Sequence, residues 1–241
     1  MSLPRTPTGN SPRSPGSAEW VYESIVRSVP WINTSRSVAL AAQLIGFEAA
    51  ILVLAAIYDL PAAAIAGTVA VLVSVAGSAF MLRLSSGVRS EEAPPEYARL
   101  LFGSSIEIVL GLMAFFVLIV YVFVYDPRQP GEALVTAILG ERPPLLFAFL
   151  LLVVGWDVAY RIGVGWWASV VGLWRSTRLA DRLSPAARRR FRRLDALTIG
   201  FSAVQLLLVP VLAGHPVLQV AVLGHVLAVL LVSGTSILFL R

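Results

Sequence analysis

The stretch PLLFAFLLLVVGWDVAYRIGVGWWASVVGLW, residues 144–174, decides the fold. Its only charges are Asp157 and Arg161. Wound as a helix at 1.5 Å per residue it runs roughly 46 Å, more than the ~30 Å hydrocarbon core of a bilayer requires. It therefore reads as a membrane-crossing helix whose far end projects into the interface, where Trp166, Trp167 and Trp174 anchor it.

The rest of the chain repeats the pattern. Apolar segments at about 37–58, 61–82, 101–125, 145–168, 195–213 and 217–240 are each long enough to cross. Asp59, Leu60 and Pro61 join the first two, and Gly214, His215 and Pro216 join the last two, so each pair should form a tight antiparallel hairpin. Pro210 should kink the fifth helix, which Ser184 and Pro185 start before its membrane entry as N-cap and first helical position. Hydrophobic residues make up 57% of the 241, charged residues only 14%, and mean hydropathy is +0.80, which excludes an ordinary soluble domain. The expected fold is an all-α integral membrane bundle of about six transmembrane helices, preceded by a short amphipathic helix.

That amphipathic helix is SAEWVYESIVRSVPWI, residues 17–32, with Val21, Ile25 and Val29 on one face and Glu19, Glu23 and Arg27 on another. Trp20, Tyr22 and Trp31 suit the headgroup level of an interfacial helix. Residues 1–16 mix Pro, Ser, Thr, Gly and Arg without the apolar run of a signal peptide and read as a disordered tail.

Arginine placement orients the chain, because cytosolic connections retain positive charge. With the N-terminus inside, the cytosolic segments carry Arg5, Arg13, Arg27 and Arg36, then Arg83, Arg89 and Arg99, then Arg175, Arg178, Arg182, Arg188, Arg189, Arg190, Arg192 and Arg193, then Arg241. The opposite set carries only Arg128 and Arg142, beside Asp59, Asp126, Glu132 and Glu141. Both termini are thus expected in the cytosol, in the cell membrane. The run ARRRFRRL, residues 187–194, beside a predicted membrane entry, offers Arg188, Arg189, Arg190, Arg192 and Arg193 to anionic lipid. A topogenic signal explains the same run without a ligand, and nucleic acid is not an expected partner.

Charges inside apolar spans are the candidate site, since each costs several kcal/mol unless paired or wet. Glu48, Glu107, Asp157 and Arg161 qualify. Asp157 and Arg161 stand four apart on one helical face and should pair. Similar depths make a cluster of all four the expectation, a buried ion or proton site with Gln43, Tyr160, Gln205 and His225 supplying hydrogen bonds. The bland alternative is a polar cluster that fixes helix packing. Small residues at Ala63, Gly67, Ala70, Ser74 and Gly77, and at Gly155, Ala159 and Gly163, form ridges where helices should approach closely.

Chemistry with a signature is missing from the sequence. The chain has no cysteine and no lysine, which removes disulfides, thiolate metal sites and Schiff-base cofactors. His215 and His225, the only histidines, are too few for a two-haem cytochrome and read as a turn residue and a packing donor. No HExxH, GxSxG or P-loop occurs. No enzymatic activity, cofactor or metal is expected. In general appearance the whole chain resembles uncharacterised prokaryotic multi-pass membrane proteins of unknown function, archaeal ones in particular. That resemblance is compositional and implies no site. Two functions stay open: moving or sensing a small solute or ion through the buried cluster, or a non-transporting scaffold or subunit of a membrane complex. The first needs water to reach Glu48 or Asp157, and the second needs those groups dry and paired.

Overall fold

The computed structural model describes residues 36–89 and 93–241. The expected tail at 1–16 and amphipathic helix at 17–32 lie outside them. The described residues form helices α1 (Arg36–Tyr58), α2 (Pro61–Val88), α3 (Pro95–Gly103), α4 (Ile106–Val120), α5 (Leu134–Leu139), α6 (Leu145–Arg178), α7 (Pro185–Val204), α8 (Leu208–Val211) and α9 (Pro216–Phe239), with no strand among them. Six continuous or nearly continuous helices are long and apolar enough to cross a membrane.

Local sequence explains the boundaries. Prolines open α2, α3, α7 and α9, where their missing N–H is no loss. The Ser184 hydroxyl caps α7 by accepting from the Ala187 N–H at 3.1 Å. Asp59 turns α1 into α2 at φ 53°, a left-handed conformation that Asp tolerates better than most residues.

Four features depart from simple spans. The third apolar segment is broken at Ser105, which sits at φ 56° between α3 and α4. Beyond α4 the chain widens into a π turn, Tyr121–Tyr125, and then tightens into a 3-10 turn, Asp126–Arg128. Pro127 accounts for this, because its ring displaces the carbonyl four residues back, on Phe123. Pro210 acts in the same way on Leu206, and the helix there passes through a 3-10 turn, Gln205–Leu207, as the expected kink requires. The loop before α6 also folds the short α5, which has no counterpart in the apolar segmentation.

Helix α6 is the axis of the bundle and packs against α1, α2, α3, α4, α7 and α9. Helix α2 is half buried, whereas α1, α4 and α9 leave most of their apolar surface outward. The interior forms two clusters. One gathers Phe80, Leu84, Tyr97, Val164, Phe191 and Leu240 at the end that carries the arginines. The other gathers Ile51, Ala63, Val71, Phe147 and Val154 at the opposite end.

The small-residue ridges act where contacts are tightest. A Cβ added to Gly163 would lie 2.7 Å from the Gly111 backbone nitrogen, so α4 and α6 touch backbone to backbone there. One on Gly67 would meet the Ile51 side chain at 2.6 Å, which sets the approach of α1 to α2. Gly155, by contrast, has nothing nearer than Phe115 at 4.0 Å.

Candidate functional site

Asp157 and Arg161 pair as their spacing predicts. The guanidinium donates from Nε at 2.9 Å and from Nη2 at 2.7 Å to the two carboxylate oxygens, a forked contact on one face of α6. Arg161 is fully buried, and its Nη1 lies 3.5 Å from the Met81 sulfur. Gly77 makes room for it, since any Cβ there would collide with the arginine stem. Asp157 also accepts from the Ser74 hydroxyl and, at 3.4 Å, from the Gln43 amide, whose oxygen in turn accepts from Ser78 at 2.7 Å. The pair therefore ties α6 to α1 and α2 at the junction of the two apolar clusters. Beside it, Gln43, Phe47, Val71, Ser74, Val154 and Asp157 enclose a cavity of about 10 Å³, room for one water.

Of the four charged residues read together from the sequence, Asp157 and Arg161 pair, and neither Glu48 nor Glu107 is hydrogen-bonded to them. Glu48 accepts from Thr68 at 2.7 Å, which links α1 to α2, and its other oxygen is buried without a hydrogen-bond partner. Glu107 is fully buried in the first turn of α4, and neither of its carboxylate oxygens has a hydrogen-bond partner. Depth along the bundle groups these acids with Arg161, but neither carboxylate bonds to it. Of the supporting residues, Gln43 joins the Asp157 site. Tyr160 stacks on Trp156 with ring centroids 6.1 Å apart, the Gln205 amide is buried unpartnered, and His225 lies 6.3 Å from the Trp166 ring.

A second ion pair was not foreseen. Arg175, counted among the loop arginines, is fully buried near the end of α6 and donates to Asp195 of α7 at 2.6 Å. Ser236 of α9 completes the node, donating to Asp195 at 2.8 Å and accepting from Arg175 at 3.2 Å, with Ser176 a further acceptor for Arg175 at 3.0 Å. The guanidinium carbon lies 4.3 Å from the Phe191 centroid and 5.2 Å from that of Tyr97, a stacking that arginine favours over lysine. This node clamps α3, α6, α7 and α9. Its only sequence signal is an acid, Asp195, at the edge of an apolar run.

The arginine run is less uniform than its sequence. Arg189, Arg190 and Arg193 are exposed, whereas Arg188 and Arg192 are half buried, and Arg188 donates to the Ala180 carbonyl at 2.9 Å. A 100° turn per residue distributes five arginines around the helix instead of along one face.

At the opposite end Asp126 is buried and holds two loops together. It accepts from the Leu134 backbone N–H at 2.6 Å and faces His215 Nδ1 at 2.8 Å. Asp126 and His215 border a cleft of about 540 Å³, bounded also by Tyr121, Tyr125 and Glu132.

Fold and site define an all-helical protein with six helices fit by length and composition to cross a membrane, clamped at two levels by buried arginine–aspartate pairs. Residues 16–236 match the model of a family of unknown function (DUF7530), and the chain belongs to that family. No curated protein and no solved structure matches it.

Proposed function

We propose that this chain is a six-span integral membrane protein that acts as a non-transporting scaffold or complex subunit, its buried charges serving to lock the helices. Insertion is supported by the outward apolar side chains, such as Ile45, Ile57, Phe149 and Val220, each more than 60% exposed. Such a surface is far more apolar than soluble monomers present. The bias in arginine supports a cytosolic location for both termini. Reporter tags inserted after Tyr58 and after Ser184 should then appear on opposite faces of the cell membrane, and appearance on one face would refute the topology.

The observation that carries the scaffold reading is the saturation of Asp157. Its carboxylate is occupied by Arg161, Ser74 and Gln43, and the adjoining space takes about one water, so the pair is satisfied by protein groups while Asp157 keeps 23% of its side chain exposed. In liposomes with an imposed pH gradient, the reconstituted protein should pass no more protons than protein-free vesicles. A flux above that background, abolished by Asp157→Asn, would overturn the reading.

Glu107 favours a second reading, proton handling, because a buried carboxyl with both oxygens unpartnered has no structural bond to make. A flux lost in Glu107→Gln but retained in Asp157→Asn would select it. The exposed Arg189, Arg190 and Arg193 support contact with anionic lipid headgroups at the cytosolic face.

A further inference from the structure

The cleft at the end opposite the arginines combines features that neither a turn nor a packing contact requires. Its rim and floor bring two carboxylates, Asp126 and Glu132, two tyrosines, Tyr121 and Tyr125, the Gln129 amide and His215 to one space, and no arginine lines it. At about 540 Å³ it falls within the ~300–1,000 Å³ typical of small-molecule sites.

His215 gives the cleft its direction. It is 7% exposed, and its Nδ1 faces the Asp126 carboxylate at 2.8 Å. An ionised carboxylate only accepts, so Nδ1 carries the proton, and in the Nδ1–H tautomer the Nε2 lone pair is left for a donor. Asp126 is itself fixed by the Leu134 N–H at 2.6 Å, so the imidazole is held on a rigid post. Nε2 has no hydrogen-bond partner among the described residues, and the ring borders the cleft. The nearby tyrosine rings, with centroids 5.4 Å apart, add electron-rich faces.

We propose that this cleft binds a small primary ammonium ion. Its N–H groups would donate to His215 Nε2 and to the tyrosine hydroxyl oxygens, while Glu132 supplies the counter-charge at the rim. The described residues contain no group of three or more His, Cys, Asp or Glu placed to hold a metal, which favours a hydrogen-bonding organic cation over a coordinated ion. The inference does not rest on the scaffold reading, since a site at one end of the bundle needs no passage through it.

The test is titration calorimetry on the full chain in detergent, with ethanolammonium chloride and its uncharged counterpart ethylene glycol as probes. Ethanolammonium should bind saturably, and the glycol at least tenfold more weakly. Glu132→Gln, at an exposed site where folding is not at risk, should weaken ethanolammonium about threefold, the size of an exposed ion pair. His215→Ala should weaken it about tenfold, as loss of a hydrogen bond to a charged donor does. Glu141→Gln should change nothing. Equal binding of the two probes, no saturable ethanolammonium binding, or an equal loss in Glu141→Gln and Glu132→Gln would each overturn the proposal, as would unchanged binding in both Glu132→Gln and His215→Ala.

Discussion

Neutralising Asp157 tests the clamp most directly. Asp157→Asn keeps the shape and leaves groups for Ser74 and Gln43 to bond, yet it takes the carboxylate partner from Arg161, a residue with no exposed surface. Removing one partner of a buried pair costs about 3–5 kcal/mol. The Asp157 side chain is 23% exposed, so some solvent compensates and the lower end, about 3 kcal/mol, is expected. Arg161→Met should cost less, about 2 kcal/mol, because the orphaned carboxylate keeps that exposure and its serine and glutamine donors. Combining Asp157→Asn with Arg161→Met leaves no buried charge, keeps an acceptor for Ser74 and Gln43, and should bring stability back to within about 1 kcal/mol of the starting protein. Equilibrium unfolding in mixed mild-detergent and dodecyl sulfate micelles, read through the six tryptophans, measures all three. Single variants within about 0.5 kcal/mol of the parent, or a double variant as unstable as the two singles summed, would refute the argument.

Other substitutions probe other contacts. Gly163→Ala should destabilise by about 1–3 kcal/mol because its Cβ would meet the Gly111 backbone, whereas Gly155→Ala, in open space, should be neutral or slightly stabilising; the same unfolding assay compares them. Arg175→Lys should cost about 2 kcal/mol by losing the stack on Phe191 and the reach of Nη2 to both Asp195 and Ser236, and parental stability would show that any cation suffices. Replacing Arg189, Arg190 and Arg193 with glutamine should reduce co-purifying anionic lipid, at about 1 kcal/mol per arginine, more than replacing Arg188 and Arg192 does; equal losses would mean that burial is irrelevant.

The helices were legible because their signal is local. An apolar run bounded by Asp59–Pro61 or Gly214–Pro216 states its own length and end, and Pro210 and Ser184 act within one turn. The break at Ser105 was not legible, since it interrupts an apolar run with two serines that a helix tolerates. The Asp157–Arg161 pair was visible because both members lie on one helix. The Arg175–Asp195 and Asp126–His215 pairs were not, because each joins elements distant in sequence and depends on how helices rotate about their axes. Depth along a helix can be counted from the sequence, but rotation about its axis is fixed only by packing, which is why Glu48 and Glu107 were grouped with a partner that neither bonds.

The two arginine clamps differ in when they can form. Asp157 and Arg161 share a single helix and meet as soon as that segment coils, so the segment can leave the ribosome as an electrically balanced unit. Arg175 has no such companion on α6 and must wait for Asp195, then Ser236, to be synthesised. Assembly of the chain should accordingly finish at the arginine end, with the last helix closing the latch.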